Sequence, residues 1–188
     1  MFKKVLSVVL FLLFLIIVPP AFYLIDNSAT PNQASSAATL IGSDKVVYEL
    51  PYPGILPDNP LYFVKIVRDR IVEFLTRENI KKAELYLLFS DKRAAAALEL
   101  AQNGKDELAI STLSKGEKYF SKIPKLLSDS KKQGVSPSSD LISRLQLSNA
   151  KHREVAQTLV KDLPSGQNDE MNQILQLNSE IKKELNRL

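Results

Sequence analysis

Apolar residues recur at helical spacing along most of this chain, and this pattern limits its fold more than any other feature. No proline occurs between Pro60 and Pro124, and no segment alternates apolar and polar residues as a half-buried strand would. The pattern therefore predicts an all-α fold, a bundle of about five helices interrupted at Gly and Pro residues. Their approximate bounds are Pro60 to Leu75, Glu78 to Asn103, Asp106 to Ser128, Ser138 to Leu163 and Asp169 to Leu188.

The predicted helices differ in how many of their sides are apolar. The second is apolar on two nearly opposite sides, which is typical of a helix between neighbours. The third is expected to kink or break near Pro124. The first has a single apolar stripe, the pattern of a helix that packs one side on a core. That stripe consists of Leu61, Val64, Val67, Ile71, Phe74 and Leu75.

The N-terminus carries a second kind of apolar feature. The residues from Val5 to Ile25 are almost wholly apolar and follow Lys3 and Lys4. About 20 apolar residues, rising about 1.5 Å each, span the core of a bilayer. We favour a retained transmembrane anchor, because the apolar run exceeds the core of a signal peptide and no Ala-x-Ala site follows at the usual distance. A cleaved signal peptide is the alternative, and Pro19-Pro20 argues for it.

The charges near the anchor predict its orientation. Lys3 and Lys4 are the only charged residues before Asp26, which predicts a cytoplasmic N-terminus and an extracytoplasmic remainder, held at the cell membrane by a single pass. The chain has no cysteine, which excludes disulfides, thiolate metal sites and an acylated lipoprotein cysteine. Its net charge is +4, of which those two lysines supply half, so no nucleic-acid partner is expected.

Composition divides the chain into four parts. Residues 1–25 are the predicted anchor, and residues 26–46, rich in Ser, Ala, Thr and Asn, are expected to form a flexible linker. As a random coil of about 20 residues, this linker would have an end-to-end distance of roughly 25 Å. Residues 47–128 are predicted to form a helical domain that opens with a proline-rich clasp. Residues 136–188 are predicted to form a helical hairpin that packs on that domain or is hinged to it.

The proline-rich segment before the first helix carries a family resemblance. From Pro53 to Lys65 it reads PGILPDNPLYFVK, which resembles the motif, typically PGLLPDSPLYFLK, of a bacterial domain family of unknown function. The resemblance covers roughly residues 48 to 128. It implies an N-terminal apolar segment followed by an external helical domain, and it brings no catalytic residues with it.

We interpret this motif as structural, with a partner-binding groove as the alternative. Prolines pre-set an extended path, Gly54 permits a tight turn, and Asp58 or Asn59 can cap the helix that begins at Pro60. Leu56, Leu61 and Tyr62 are expected to anchor the segment to the bundle. The structural motif comprises Pro53, Gly54, Leu56, Pro57, Asp58, Pro60, Leu61 and Tyr62.

Two polar residues interrupt the apolar stripes of the last two predicted helices. They are His152, the only histidine, and Asn178. If these helices fold back about Gly166, the two residues lie at nearly equal distances from the turn. A buried polar group needs a partner, so we predict a buried polar pair that fixes the register of the hairpin. The alternative is a coiled-coil dimer through the last helix, because a core asparagine can also specify such a dimer.

Four lysines recur at steps of three and four along the third predicted helix. They are Lys115, Lys118, Lys122 and Lys125. Such a row is usually a solvated face. The alternative is a partner-binding strip for anionic lipid headgroups or an anionic envelope polymer, recognised by charge.

No arrangement of residues in the sequence indicates a catalytic, metal or cofactor site. Asp106-Glu107 and Asp169-Glu170 sit at predicted helix starts, where they complement the helix dipole, and Asp91 is expected to pair with a lysine or arginine. Phosphate-loop, nucleophile-elbow, zinc-protease and calcium-loop motifs are absent. The sequence therefore predicts a non-enzymatic interaction or scaffold protein without a cofactor. The alternative is a sensory or regulatory envelope protein that binds a ligand or another membrane protein, which a cavity lined by the first three helices would favour.

Overall fold

The structure is a computed structural model that describes residues 45–162 and 168–188. These residues form six α-helices and no strand, which confirms the all-α prediction for this part of the chain. The predicted anchor and nearly all of the predicted linker lie outside the described residues, as does the turn at Gly166. Across the two described ranges, no helix combines the length and apolar character needed to cross a membrane. The helices are α1 Tyr62–Leu75, α2 Asn79–Gln102, α3 Asp106–Phe120, α4 Ile123–Lys132, α5 Ser139–Asp162 and α6 Asn168–Leu185.

The third predicted helix is divided into α3 and α4. Ser121 and Lys122 separate them, and Pro124 lies in the first turn of α4. Proline is tolerated there because the first turn leaves backbone N–H groups unpaired, whereas inside a helix its ring clashes with the preceding turn. The break therefore falls where the sequence predicts it, and six helices replace the predicted five.

Four helical rods form one bundle, in which the antiparallel pair of α2 and α3, the latter extended by α4, packs beside the antiparallel pair of α5 and α6. Helix α2 packs against α3 and α5, and α6 packs against the same two helices from the other side. The α5–α6 hairpin therefore shares one bundle with the earlier helices. Two apolar clusters fill its ends. The first cluster, at one end, consists of Ala83, Tyr86, Leu87, Phe89, Phe120, Ile123, Leu127, Leu141, Leu145, Ile181 and Leu185. The second cluster, at the other end, consists of Ala94, Ala97, Leu100, Ala109, Ile110, Leu113, Val155, Ala156, Leu159, Met171 and Ile174.

The apolar stripe of α6 is buried against other helices of its own chain. Met171, Ile174, Ile181 and Leu185 are all buried in the two clusters. A coiled-coil dimer would need these side chains at its seam. The structure therefore corrects the dimer alternative, because the stripe already has its partners in the bundle.

Helix α1 lies against the bundle with its polar side, contrary to the sequence prediction. Its one buried residue is Asp69, and its Glu73 accepts a hydrogen bond of 2.8 Å from the Tyr86 hydroxyl of α2. Five of the six residues of the predicted stripe face outward, Phe74 being 76% exposed, and Ile71 is half-buried. The helix is amphipathic as expected, but polar bonds to the bundle take its inner side and leave the apolar side without a partner.

The proline-rich segment crosses the bundle surface between polar contacts at its two ends. The backbone N–H of Val46 donates to Glu154 at 2.7 Å, and Asp58 pairs with Lys105 at the α2–α3 turn. Between them, Leu50 and Leu56 pack on the second apolar cluster. The segment therefore connects α5 to the start of α3. We call residues 46–58 the strap.

The structure corrects one detail of the predicted motif, the role of Leu61, and decides between the two predicted capping residues. Leu61 is 60% exposed and does not anchor the segment, because it faces outward with the apolar side of α1. Asp58 is engaged by Lys105, and it is Asn59 whose side chain accepts the Leu61 N–H, at 2.9 Å. Gly54 has a positive φ of 73°, which explains a glycine at this bend. Buried Pro53 and half-buried Leu56, Pro57 and Tyr62 hold the segment, whereas Asp58 and Pro60 are exposed.

Candidate functional site

A layer of polar residues crosses the bundle between its two apolar clusters. In α2, Asp91 lies four residues after Leu87 of one cluster and three before Ala94 of the other. Glu117 of α3 and Asn178 of α6 have the same spacing, and His152 of α5 lies three residues before Val155, so each rod places a polar side chain at this level. We call this set the polar layer. Its members are Asp91, Glu117, His152 and Asn178, all of them buried.

His152 lies at the centre of the polar layer between two carboxylates. Its Nδ1 is 2.7 Å from Glu117 Oε1, and its Nε2 is 3.0 Å from Asp91 Oδ1. Carboxylate oxygens accept hydrogen bonds, and only the protonated imidazole has N–H groups on both nitrogens. With both carboxyl groups ionised, this geometry fits an imidazolium, whose ring lies edge-on to Phe120 at 5.4 Å between centroids.

The electrostatics agree with this geometry. Burial lowers the pKa of His152, but the hydrogen bonds and negative charges of Asp91 and Glu117 outweigh it and raise the pKa to about 9. The side chain has no exposed surface. His152 is therefore a buried cation near neutral pH, in contact with two carboxylates.

Asp91 accepts hydrogen bonds from three side chains, two of them on α5 and one on the strap. Besides His152, it accepts one from the Ser148 hydroxyl at 2.5 Å and one from the Tyr48 hydroxyl at 2.6 Å. Tyr48 belongs to the strap, and its pKa is raised by burial and by the negative charge of Asp91. Its hydroxyl therefore stays protonated and serves as a donor.

Asn178 and Asn149 join α5 to α6 by reciprocal bonds. The Asn178 amide donates to the carbonyl of Asn149 at 3.0 Å, and the Asn149 amide donates to the carbonyl of Asn178 at 3.2 Å. Asn178 also lies 3.4 Å from Glu117 Oε2. His152 and Asn178 are thus both buried, but they meet through Glu117 instead of bonding to each other.

The sequence interpretation missed Glu117, the residue that joins the predicted pair. A signal was present: Glu117 lies four residues after Leu113 and three before Phe120, inside the apolar stripe of α3. Asp91 was expected to bind a lysine or arginine, and it binds His152, Ser148 and Tyr48 instead. Nothing local to Tyr48 indicates its role, because its partner lies 43 residues away.

The polar layer does not offer the geometry of a hydrolytic triad. Ser148 bonds to Asp91 and not to a ring nitrogen of His152, so the layer lacks the pair of nucleophile and base. Within the described ranges, no group of three His, Asp or Glu side chains could hold a metal ion. The chemistry of this arrangement is that of a structural ion cluster.

The described residues form two grooves on the surface. One of about 600 Å³ is lined by the residues from Tyr52 to Pro60, and one of about 460 Å³ lies between Lys118 of α3 and the start of α6 at Asp169. Neither is the cavity between the first three helices that would favour a sensory role.

The four predicted partner-binding lysines are all exposed and are divided between α3 and the residues beyond its end. Lys115 and Lys118 lie on α3, whereas Lys122 and Lys125 lie beyond its end. Lys122 stacks over the rings of Tyr86 and Tyr119, at 5.1 and 4.8 Å, and Lys125 pairs with Asp129 at 2.6 Å. Binding of an anionic polymer by this row stays a prediction.

Comparison with known proteins supports the predicted membership of a domain family of unknown function, and the proline-rich motif stays a prediction. No curated protein and no solved structure matched the chain. A family model matches residues 54–184. This range includes α1 to α5, nearly all of α6 and all four members of the polar layer. The chain therefore belongs to the family described as "Domain of unknown function (DUF5667)".

Proposed function

We propose that this protein is a non-enzymatic, membrane-anchored helical module that acts outside the bacterial cytoplasmic membrane as an interaction or scaffold protein. The sequence supports the anchor, because the residues from Val5 to Ile25 have the length and apolar character of a bilayer span. Lys3 and Lys4 favour the orientation with the domain outside.

One structural observation carries the interaction role. The described part of the chain satisfies its buried charges internally in the polar layer and turns the apolar side of α1 to solvent. Soluble monomers rarely expose a contiguous apolar patch, and such patches commonly mark sites of association. An enzyme instead needs reactive groups that a substrate can reach, whereas His152 and Glu117 are enclosed.

The topology is tested in bacterial cells that express the full chain with a C-terminal epitope tag. We expect the protein to stay in the membrane fraction after an alkaline carbonate wash. Protease added outside spheroplasts should digest the domain before lysis. Recovery in the soluble fraction, or full protection of the epitope until lysis, would contradict the proposal.

A matched control separates the anchor from adventitious membrane binding. Leu13→Arg with Ile16→Arg places two charges at the centre of the apolar run, each costing about 3 kcal/mol on insertion scales. We expect this variant to lose its carbonate-resistant fraction. Leu13→Val with Ile16→Val keeps the apolar character and should behave as the parent does.

A further inference from the structure

The outward side of α1 gathers most of the exposed large apolar side chains of the described residues on one helix. At helical spacing, Phe63, Val67 and Phe74 lie on one side, with Ile66 and Arg70 beside them. Phe63 is 70% exposed and Phe74 76%. We call this surface the outward face of α1. It comprises Leu61, Phe63, Val64, Ile66, Val67, Arg70, Phe74 and Leu75.

The charges of α1 are sorted between its two sides. Its two carboxylates turn inward, since the side chains of Asp69 and Glu73 are only 6% and 14% exposed. The side chain of Arg70 is 69% exposed and lies at helical spacing with the outward apolar residues, and its guanidinium group pairs with Glu73 at 3.2 Å. The exposed charge of the helix is therefore positive, which complements an anionic surface and not a basic one.

The length of the chain before α1 limits what this surface can meet. Only about 20 residues separate Ile25, the end of the predicted anchor, from Lys45, where the described residues begin. As a coil they span roughly 25 Å. A domain tethered this closely to a bilayer encounters that surface at a high effective concentration.

We propose that the outward face of α1 docks on the anionic bilayer that holds the anchor, with the helix lying in the headgroup region parallel to the membrane. The inference rests on the proposed function, because it needs the anchor to bring α1 to the membrane. Apolar side chains and an arginine on one exposed side are the pattern of an interfacial helix, whose apolar face enters the headgroup boundary while its cations meet lipid phosphates.

The absence of cysteine makes the test clean. Single-cysteine variants Phe63→Cys and Phe74→Cys of the full chain are labelled with a bimane fluorophore. They are reconstituted in vesicles of equal parts phosphatidylglycerol and phosphatidylcholine, with and without brominated acyl chains. Leu147→Cys on α5 is the matched control, since Leu147 is an exposed apolar helical residue away from α1. We expect bromine to quench the labels at 63 and 74 several-fold more than the label at 147.

The outcomes distinguish failure of docking from failure of the anchor. If the chain does not float with vesicles, the anchor and the docking both fail. If it floats but bromine quenches the three labels equally, docking is overturned and the anchor stands. The labels at 63 and 74 could also be shielded from water and yet not be quenched by bromine. A second copy of the chain or residues 1–44 would then cover them, and the proposal would be overturned as well.

Arg70 gives a second, independent readout. Arg70→Ala removes one cation near the lipid phosphates and should reduce the ratio of docked to undocked protein roughly fivefold. Arg70→Lys keeps the charge and should retain most of the quenching. The loss should shrink in vesicles of pure phosphatidylcholine. Equal quenching in all three proteins would contradict a role for charge and overturn docking on an anionic surface.

Discussion

At the scale of single residues, the polar layer is a set of charges that depend on one another. Moving a charged group out of water costs several kcal/mol, and this cost is offset only while its partners are present. His152 binds both carboxylates, while Ser148, Tyr48 and Asn178 supply further donors. The layer therefore fixes which residues face each other, and it does so more strictly than apolar contacts would.

The pH dependence of stability should reveal His152. Its pKa is raised in the fold from 6.5 to about 9, so its stabilising contribution is complete below pH 6.5 and is lost as the pH rises through 9. The loss amounts to about 3 kcal/mol, at about 1.4 kcal/mol per pKa unit. Urea unfolding between these pH values measures it.

The variant His152→Gln is the control for this titration. It leaves two buried carboxylates without their cation and should lower the free energy of unfolding by about 3 to 5 kcal/mol at pH 6.5. The part of the pH dependence of stability that comes from His152 should be absent in this variant. Burial lowers the pKa of Lys65 to about 8, so Lys65 makes the fold more stable as the pH rises above 8. This effect is the same in both proteins and cancels when their stabilities are compared. An unchanged slope in the variant would refute the assignment.

The strap should depend on one hydroxyl. Tyr48→Phe removes the donor that lies 2.6 Å from Asp91 and should cost about 1.5 to 3 kcal/mol in urea unfolding, because the acceptor is charged and buried. Tyr52→Phe is the matched control, since Tyr52 is 80% exposed and should change stability by less than about 0.5 kcal/mol. Equal effects of the two substitutions would contradict a bond from the strap into the polar layer.

At the scale of elements, the approach of α3 to α2 depends on a residue without a side chain. A Cβ at Gly116 would lie 3.1 Å from Arg93 Cβ and 3.2 Å from the carbonyl oxygen of Ser90, both fixed to the α2 backbone. Neither atom can move without shifting the helix. Close packing of this kind explains a glycine in the middle of α3 despite its low helix propensity.

Gly116→Ala should therefore destabilise the bundle although alanine favours helix. We expect a loss of about 1 to 2 kcal/mol in urea unfolding, because overpacking outweighs the gain of roughly 1 kcal/mol in helix propensity. Ser114→Ala, on the same helix and only partly buried, is the control and should stay close to the parent. A stabilised Gly116→Ala would show that α2 and α3 are not in such close contact.

Element bounds were predictable because their signals are local. Proline and glycine positions place the ends of α1, α2 and α5 within two residues of those observed, and Pro124 marks the α3–α4 break. The side on which α1 binds was not predictable. Amphipathic spacing identifies two sides of a helix but not which of them finds a partner, and here Glu73 and Tyr86 decide it across helices.

The candidate site was predictable in part for the same reason. A single histidine and a single asparagine in apolar stripes indicate burial, so His152 and Asn178 could be singled out. Their contacts with Glu117 span 35 and 61 residues, and sequence spacing within one helix carries no information on such partners. Glu117 became visible as a member of the polar layer only once the four rods were aligned.

At the scale of the whole molecule, interior and outward aromatic residues should behave differently. Phe120→Ala empties a fully buried site and should cost about 3 to 5 kcal/mol. Phe63→Ala and Phe74→Ala, on the outward face of α1, should each change the free energy of unfolding in detergent by less than about 0.5 kcal/mol. A large loss for either outward residue would mean that the face is already covered within the chain.

The molecule as a whole is an assembly organised around a buried cation, and its outward face is left for association. Because the interior is closed by its own charges, the surface is the part of the domain left for interactions. The closed interior depends on the protonation state of one side chain, His152.

Nuclear magnetic resonance of the full chain labelled with ¹⁵N-histidine measures that state directly, since His152 is the only histidine. At pH 7 the account predicts that both ring nitrogens are protonated, with a titration midpoint near 9. A neutral ring at pH 7 that gains its second proton only below pH 6 would contradict the ionised layer.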